Sequence, residues 1–290
     1  MIEAYLAHLL VLVCIYIVLA VSLQLSIGFT GLFNLGHIGF YAVGAYASAL
    51  LALSGQPFWL CFLAAGVFAG LTGWLLSLPT GKLKGDYLAL ATLGFSFLVY
   101  AVALNWNDLT RGALGLPGIP KPELFGFAFS DTYSFLALAA VVAIASYLIV
   151  QRIASSPFGR VLGSVRDDEL AARTLGKNAA RTKSIALASS AFLAGLAGSL
   201  YAYYITFIDP FSFTLLELVP VLAIVVIGGL ASLEGTILAA FLVVLLPEPL
   251  RFIGFPSSVI GPARQIIFAL LLLAVLLYRP KGIGGKVELD

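Results

Sequence analysis

Charge is the scarcest property of this 290-residue chain: 16 Lys and Arg and 14 Asp and Glu make up 10% of it. Soluble domains carry about a quarter. Here hydrophobic residues reach 61% and mean hydropathy +1.06, which excludes an ordinary water-soluble domain. Net charge is +2, with the positives gathered in a few loops, so there is no dispersed basic surface for nucleic acid. The chain has two histidines, His8 and His37, and lacks GxxxxGK[ST], HExxH and GxSxG stretches. Walker-type ATP binding and zinc-protease or serine-hydrolase chemistry therefore have no signature here, and no catalytic residue, metal ligand or resident cofactor is expected. Cys14 and Cys61 fall in apolar runs and read as small buried thiols, not a disulfide framework. The opening MIEAYLAHLL carries no Lys or Arg before its apolar run, so the first span is expected to be retained.

What is present in abundance is apolar sequence in lengths that suit a bilayer, which takes about 20 residues of helix to cross. Candidate spans fall near 5–25, 35–53, 58–78, 87–104, 132–150, 184–206, 216–231, 235–250 and 263–279. The expected architecture is all-α, a polytopic transmembrane helical bundle of about nine spans forming a single domain over 1–290. Cytoplasmic loops carry the excess of Lys and Arg. That rule puts Lys82 and Lys84, the 151–183 loop, and the tail with Arg279, Lys281 and Lys286 inside. The loop 105–131 and the turn 207–217 go outside, with the N-terminus outside and the C-terminus cytoplasmic. Turns at Pro117 and Pro120 make 105–131 an ordered outer cap. Trp59, Trp74 and Trp106 lie near span ends, as an interfacial aromatic belt would have them.

Ten of the thirty charged residues lie in Gln151–Lys183. Ser155 or Ser156 can cap a helix that begins at Pro157. Arg166–Leu175 is helix-prone and amphipathic, with Leu170 and Leu175 apolar, until Gly176 stops it. A helix over 157–176 lying along the membrane, with Ala171 and Ala172 leaving room for a facing surface, would be a docking knob. An ordinary solvated positive-inside loop is the plainer alternative.

The stretch GFTGLFNLGHIGFYAVGAYA sets Asn34 and His37 among five glycines. Each interior glycine costs about 1 kcal/mol in a helix relative to alanine, and free backbone groups at membrane depth must be buried in protein or line a wet cavity. One reading has Asn34 and His37 facing a substrate path, with a helix N-terminus near Gly36 favouring a carboxylate. The other has close glycine packing, Asn34 as a cap and His37 satisfied between helices. GGLASLEGTILAAFLV shares this polar-interrupted character, and Glu234 in it is either solvated or a partner contact. Gly66, Gly70 and Gly73, and Ala191, Ala194, Gly195, Gly198 and Ser199, form small-residue stripes that let helices approach closely.

Much of the chain is similar to a known family. SPFGRVLGSVRDDELAARTLGKNAARTKSIALASSAFLAGLAGSLYA, with LSIGFTGLFNLGHIGFYAVGAYA, LKGDYLALATLGF, GLPGIP, VVIGGLASLEGTILAA and YRPKGIGG, resembles the LivM-type permeases of bacterial ABC importers for branched-chain amino acids. The resemblance implies that the loop is the ATPase-coupling element, whose usual pattern is EAA, three residues, then Gly. Leu170, Ala171, Ala172 and Gly176 fall on that spacing, with Glu169 one place from the acid, and Pro157 and Arg166 belong to the same element. It further implies two cytoplasmic ATPase subunits that use the ATP and Mg, a second LivH-like permease, an extracytoplasmic binding protein, and residence in the bacterial inner membrane. Branched-chain cargo suits a path of Gly, Ala, Ser, Tyr and Phe, its zwitterionic end meeting polar groups such as Asn34, Thr92 or Ser190. Alternatives are an ABC permease for urea, short amides or other amino acids, a stand-alone carrier in which His37 is nearly the only in-span ionisable group, and a membrane scaffold, against which the glycine-broken span argues.

Overall fold

A computed structural model describes residues 2–81, 83, 85–124, 126–248, 257–278 and 282–285. Helices occur at all nine expected positions: α1 (Ile2–Ser26), α2 (His37–Leu53), α3 (Phe58–Thr80), α4 (Asp86–Asn105), a single turn α5 (Asn107–Thr110), α6 (Thr132–Ser155), α7 (Pro157–Asp167), α8 (Glu169–Thr174), α9 (Ala179–Ile205), α10 (Leu218–Gly228), α11 (Leu233–Leu245) and α12 (Ser257–Tyr278). Among the described residues, five helices (α1, α3, α4, α6 and α9) are long and apolar enough to cross a membrane. This is a helical membrane protein.

Two of the other expected spans, α10 and α11, are shorter than expected. At 1.5 Å per residue, α10 and α11, with 11 and 13 residues, span only roughly 17 and 20 Å, against about 30 Å of hydrocarbon. The 216–231 segment stops being helical at Gly228 because Gly229 takes φ 93° and Ala231 φ 58°, and Ser232 Oγ then accepts the Gly235 N–H to start α11. Lys82, Lys84, Arg279, Lys281 and Lys286 lie outside the described residues.

The core is built on α9 and α1. Helix α9 packs most extensively on α3 and α2, and α1 on α6 and α9. Small residues permit this: a Cβ on Gly195 would sit 2.5 Å from the Ala65 carbonyl, and one on Gly44 2.3 Å from the Gly195 Cα. By contrast α3, α4 and α6 expose Leu63, Phe68, Leu71, Phe97 and Ile144, an apolar surface that fits lipid and not water. The three tryptophans, in α3 and at the end of α4, are all exposed.

The bundle has two distinct ends. At one, the cap end, strand β1 (Leu116–Pro117) pairs antiparallel with β4 (Phe207–Ile208), and Ile119 N–H reaches the Thr206 carbonyl. A second small hairpin joins β2 (Glu123–Leu124) to β3 (Phe127–Ala128), and Asp131 caps α6. At the opposite, loop end, the charged segment folds as two helices, not one over 157–176. Ser156 caps α7 with Pro157 at its first position. Asp168 then leaves helical geometry, at φ −153°, and its carboxylate accepts the Leu170 and Ala171 N–H groups to start α8. Gly176 at φ 77° closes the unit.

Candidate functional site

A cavity of about 620 Å³ occupies the cap half of the bundle, within the range of small-molecule sites. It runs along α1 from His8 to Leu19, a rise of roughly 16 Å, about half the hydrocarbon thickness. Its walls are mostly aliphatic and aromatic, including Leu12, Ile15, Ile38 and Val243, so apolar side chains lose little on entering. Polar groups stand among them: His8, Tyr16, Tyr201, Asp209, Glu217 and Glu248. His8 Nδ1 lies 2.6 Å from the Tyr204 hydroxyl, Tyr5 donates to Glu248, and Asp209 accepts from Ser212 N at 2.7 Å. None of these groups was a sequence candidate. They come from α1, α9, the 209–217 turn and the end of α11, and no short motif joins them.

Leu19 and Ile38 form the floor, and beneath it lie the five path candidates. Residues 27–36, between α1 and α2, are not helical: the chain turns at Gly31, φ 71°, and returns extended to Gly36. The backbone freed there is answered by protein. Leu35 N–H donates to Thr92 Oγ1, Gly36 N–H to Asn34 Oδ1, and Ser96 Oγ to the Leu35 carbonyl. A Cβ on Gly36 would meet the Thr92 carbonyl at 2.6 Å, which is why glycine stands there. His37 Nε2 lies 3.0 Å from the Leu19 carbonyl and 2.9 Å from Ser22 Oγ; since a carbonyl only accepts, the proton sits on Nε2. Ser190 Oγ donates to the Ser22 carbonyl at 2.6 Å. Asn34, His37 and Ser190 are wholly buried and Thr92 nearly so, and none of the five lines the cavity. Asn34 Nδ2 and His37 Nδ1 find no hydrogen-bond partner among the described residues.

At the loop end, Ala172 is 2% exposed, packed with Val165 and Ala179, so it fills the α7–α8 unit instead of facing outward as expected. Leu170 at 63% and Leu175 at 78% exposure, with Ala171, make the outward surface. Glu169 is half of a nearly buried ion pair, its Oε2 2.7 Å from Lys183 Nζ, and also pairs with Arg173 at 2.5 Å. The displaced acid thus holds α8 to the start of α9. Arg166 Nη1 donates to the Gly28 carbonyl at 2.9 Å and packs over Gly31. Glu234 is exposed in the first turn of α11. Among the described residues no group of three His, Cys, Asp or Glu side chains could hold a metal.

The model of a permease component of branched-chain amino acid transport systems matches residues 5–276. The chain is 39% identical to the high-affinity branched-chain amino acid transport system permease protein LivM of Escherichia coli K12, over 94% of this chain and 68% of that one. It is equally similar to LivM of Salmonella typhimurium, 39% identical over 93% and 67%. Identity to the probable LivM of Methanocaldococcus jannaschii is 24%, over 93% and 90%. No solved structure matches.

Proposed function

The chain belongs to the permease components of branched-chain amino acid transport systems, and from that membership we propose that it is one membrane subunit of an ATP-driven importer for these amino acids. The observation that carries the reading at the level of the site is the half-depth cavity with an apolar lining, floored by Leu19 and Ile38 above a layer of buried, hydrogen-bonded polar groups. The cap end faces outward and the loop end faces the cytoplasm, with the N-terminus outside and the C-terminus inside a bacterial inner membrane, and α10 and α11, each too short to cross by its own length, enter it as a hairpin. Positive charge in 151–183 supports this orientation.

In this reading a loaded binding protein docks on the outer surface that includes 105–131. A branched side chain enters the cavity wall of leucine, isoleucine and valine at little desolvation cost. Its zwitterionic end meets the polar groups. Asn34, Gly36, His37, Thr92 and Ser190 form the gate beneath: two of them carry buried atoms unpaired among the described residues, each costing about 1–3 kcal/mol, so the closed floor retains a reason to open. A LivH-like permease supplies the other half of the path. Two ATPase subunits grip the unit formed by Pro157, Arg166, Glu169, Leu170, Ala171, Ala172 and Gly176, and ATP and Mg are used there. The permease adds no nucleotide chemistry; it converts ATPase closure into alternating access through differential contacts with two states.

The test is reconstitution in proteoliposomes with the ATPases, the second permease and the binding protein. Leucine, isoleucine and valine should accumulate only with ATP inside the ATPase compartment. Uptake by this chain alone, without ATPases, would overturn the assignment.

A further inference from the structure

A chain of polar contacts, buried at its centre, joins the charged loop to the wall of the cavity, and its central member lies just outside the stretches on which the family resemblance rests. Gln24 lies in α1, wholly buried, and its amide is engaged at both ends. Nε2 donates to the Gly229 carbonyl at 2.7 Å and to Thr236 Oγ1 at 2.9 Å, while Oε1 accepts the Ala231 N–H at 3.1 Å. Gln24 therefore clamps the turn between α10 and α11 to α1. Four residues on, the Gly28 carbonyl accepts from Arg166 Nη1 at 2.9 Å. Gly28 and Gly31 have no side chains for geometric reasons: a Cβ on Gly28 would stand 2.0 Å from Gln24 Oε1, and one on Gly31 2.8 Å from Arg166 Cγ. The same α10–α11 turn is held from the far side by the chain's C-terminal part, where Ile283 and Gly284 N–H donate to the Ile227 and Gly228 carbonyls.

We propose that Arg166, the Gly28 carbonyl and Gln24 form the relay by which movement of the charged loop reaches the α10–α11 hairpin, with Gln24 as its positioning residue. The proposal rests on the coupling role given to the loop above and adds the internal contact that receives it. Gln24 is wholly buried and Arg166 is partly buried where it meets the buried Gly28, so a carbonyl that loses its donor is left unsatisfied. The hairpin is the movable element. Its helices are too short to be anchored across the bilayer by their own length, and Pro220, Val243 and Val244 on it line the cavity. Displacement of Gly28 by Arg166 is thus transmitted to the cavity wall without passing through the His37 floor.

The experiment uses the complete reconstituted transporter and measures uptake and ATP hydrolysis side by side. Gln24→Leu, close in size but without the amide, should assemble and hydrolyse ATP at the wild-type basal rate, while uptake per ATP falls about tenfold or more. Gly31→Ala, which pushes on Arg166 from the linker side, should lower the same ratio. The double variant Gln24→Leu, Arg166→Lys should lose no more uptake than the worse single variant, because both act in one chain. Wild-type uptake per ATP in assembled Gln24→Leu, or additive losses in the double variant, would overturn the relay. Should Gln24→Leu fail to assemble, Gly31→Ala and Arg166→Lys decide by the same ratio: unchanged uptake per ATP in both refutes it. If the wild-type complex itself shows no ATP dependence, the coupling reading fails first, which separates the two outcomes.

Discussion

The two halves of this bundle are made of similar amino acids and do opposite things with them. In the cap half, α1, α10 and α11 stand apart around an open cavity. In the loop half Gln24 ties α1 to the α10–α11 turn while His37 and Ser190 tie α2 and α9 to α1, with glycines at the close approaches. The difference lies in a few buried polar side chains and missing Cβ atoms, not in overall hydrophobicity. In lipid, where apolar side chains gain nothing from leaving the solvent, close backbone contact and interhelical hydrogen bonds decide which helices hold. Closure at one end and access at the other is what a conduit in one of its alternating states requires.

The contrast can be broken at its tightest point. Gly235→Ala places a Cβ 1.9 Å from the Gly228 carbonyl, a backbone group that cannot swing aside, so folded protein should fail to accumulate; normal yield on size-exclusion chromatography would show the loop half to be looser than described. Next, Glu169→Ala leaves Lys183 as an uncompensated, nearly buried charge, at a cost of about 3–5 kcal/mol, read as a lowered unfolding midpoint and loss of ATPase co-purification. His37→Ala removes the floor bond to Leu19 and leaves a space; we expect about 2–3 kcal/mol of destabilisation and at least a tenfold loss of uptake. In the cap half, Val243→Phe projects into open volume, so the unfolding midpoint should move by under about 1 kcal/mol while uptake falls severalfold. The smallest effect on stability belongs to Leu170→Asp: at 63% exposure it should leave folding unchanged and weaken only ATPase binding in a pull-down.

Much of this could be read from residue order. Ser156 and Pro157 announced the start of α7, and Gly176 the end of α8, because caps and left-handed glycine act locally. The glycine-rich stretch around Asn34 announced a break at membrane depth, and His37 does sit between helices. Other features were out of reach. The break at Asp168 was hidden because RDDELAARTL is helix-prone, and the carboxylate that restarts the helix is itself an ordinary surface acid. The inward turn of Ala172 depends on Val165 and Ala179 meeting it. Gln24 carried a signal, a lone amide inside an apolar span, and such residues are costly in lipid unless partnered. Its partners lie more than two hundred residues away.

Composition and local order alone dictated a lipid-embedded helical protein, the positions of its helices, and the caps of its charged loop, because bilayer thickness, helical rise and capping chemistry act over a few turns of chain. Folding was needed to show which spans fall short of a crossing, that an open cavity ends on a closed floor, and which buried amide ties α1 to the α10–α11 turn. Those properties depend on groups distant in the chain meeting within 3 Å, and no local rule encodes that.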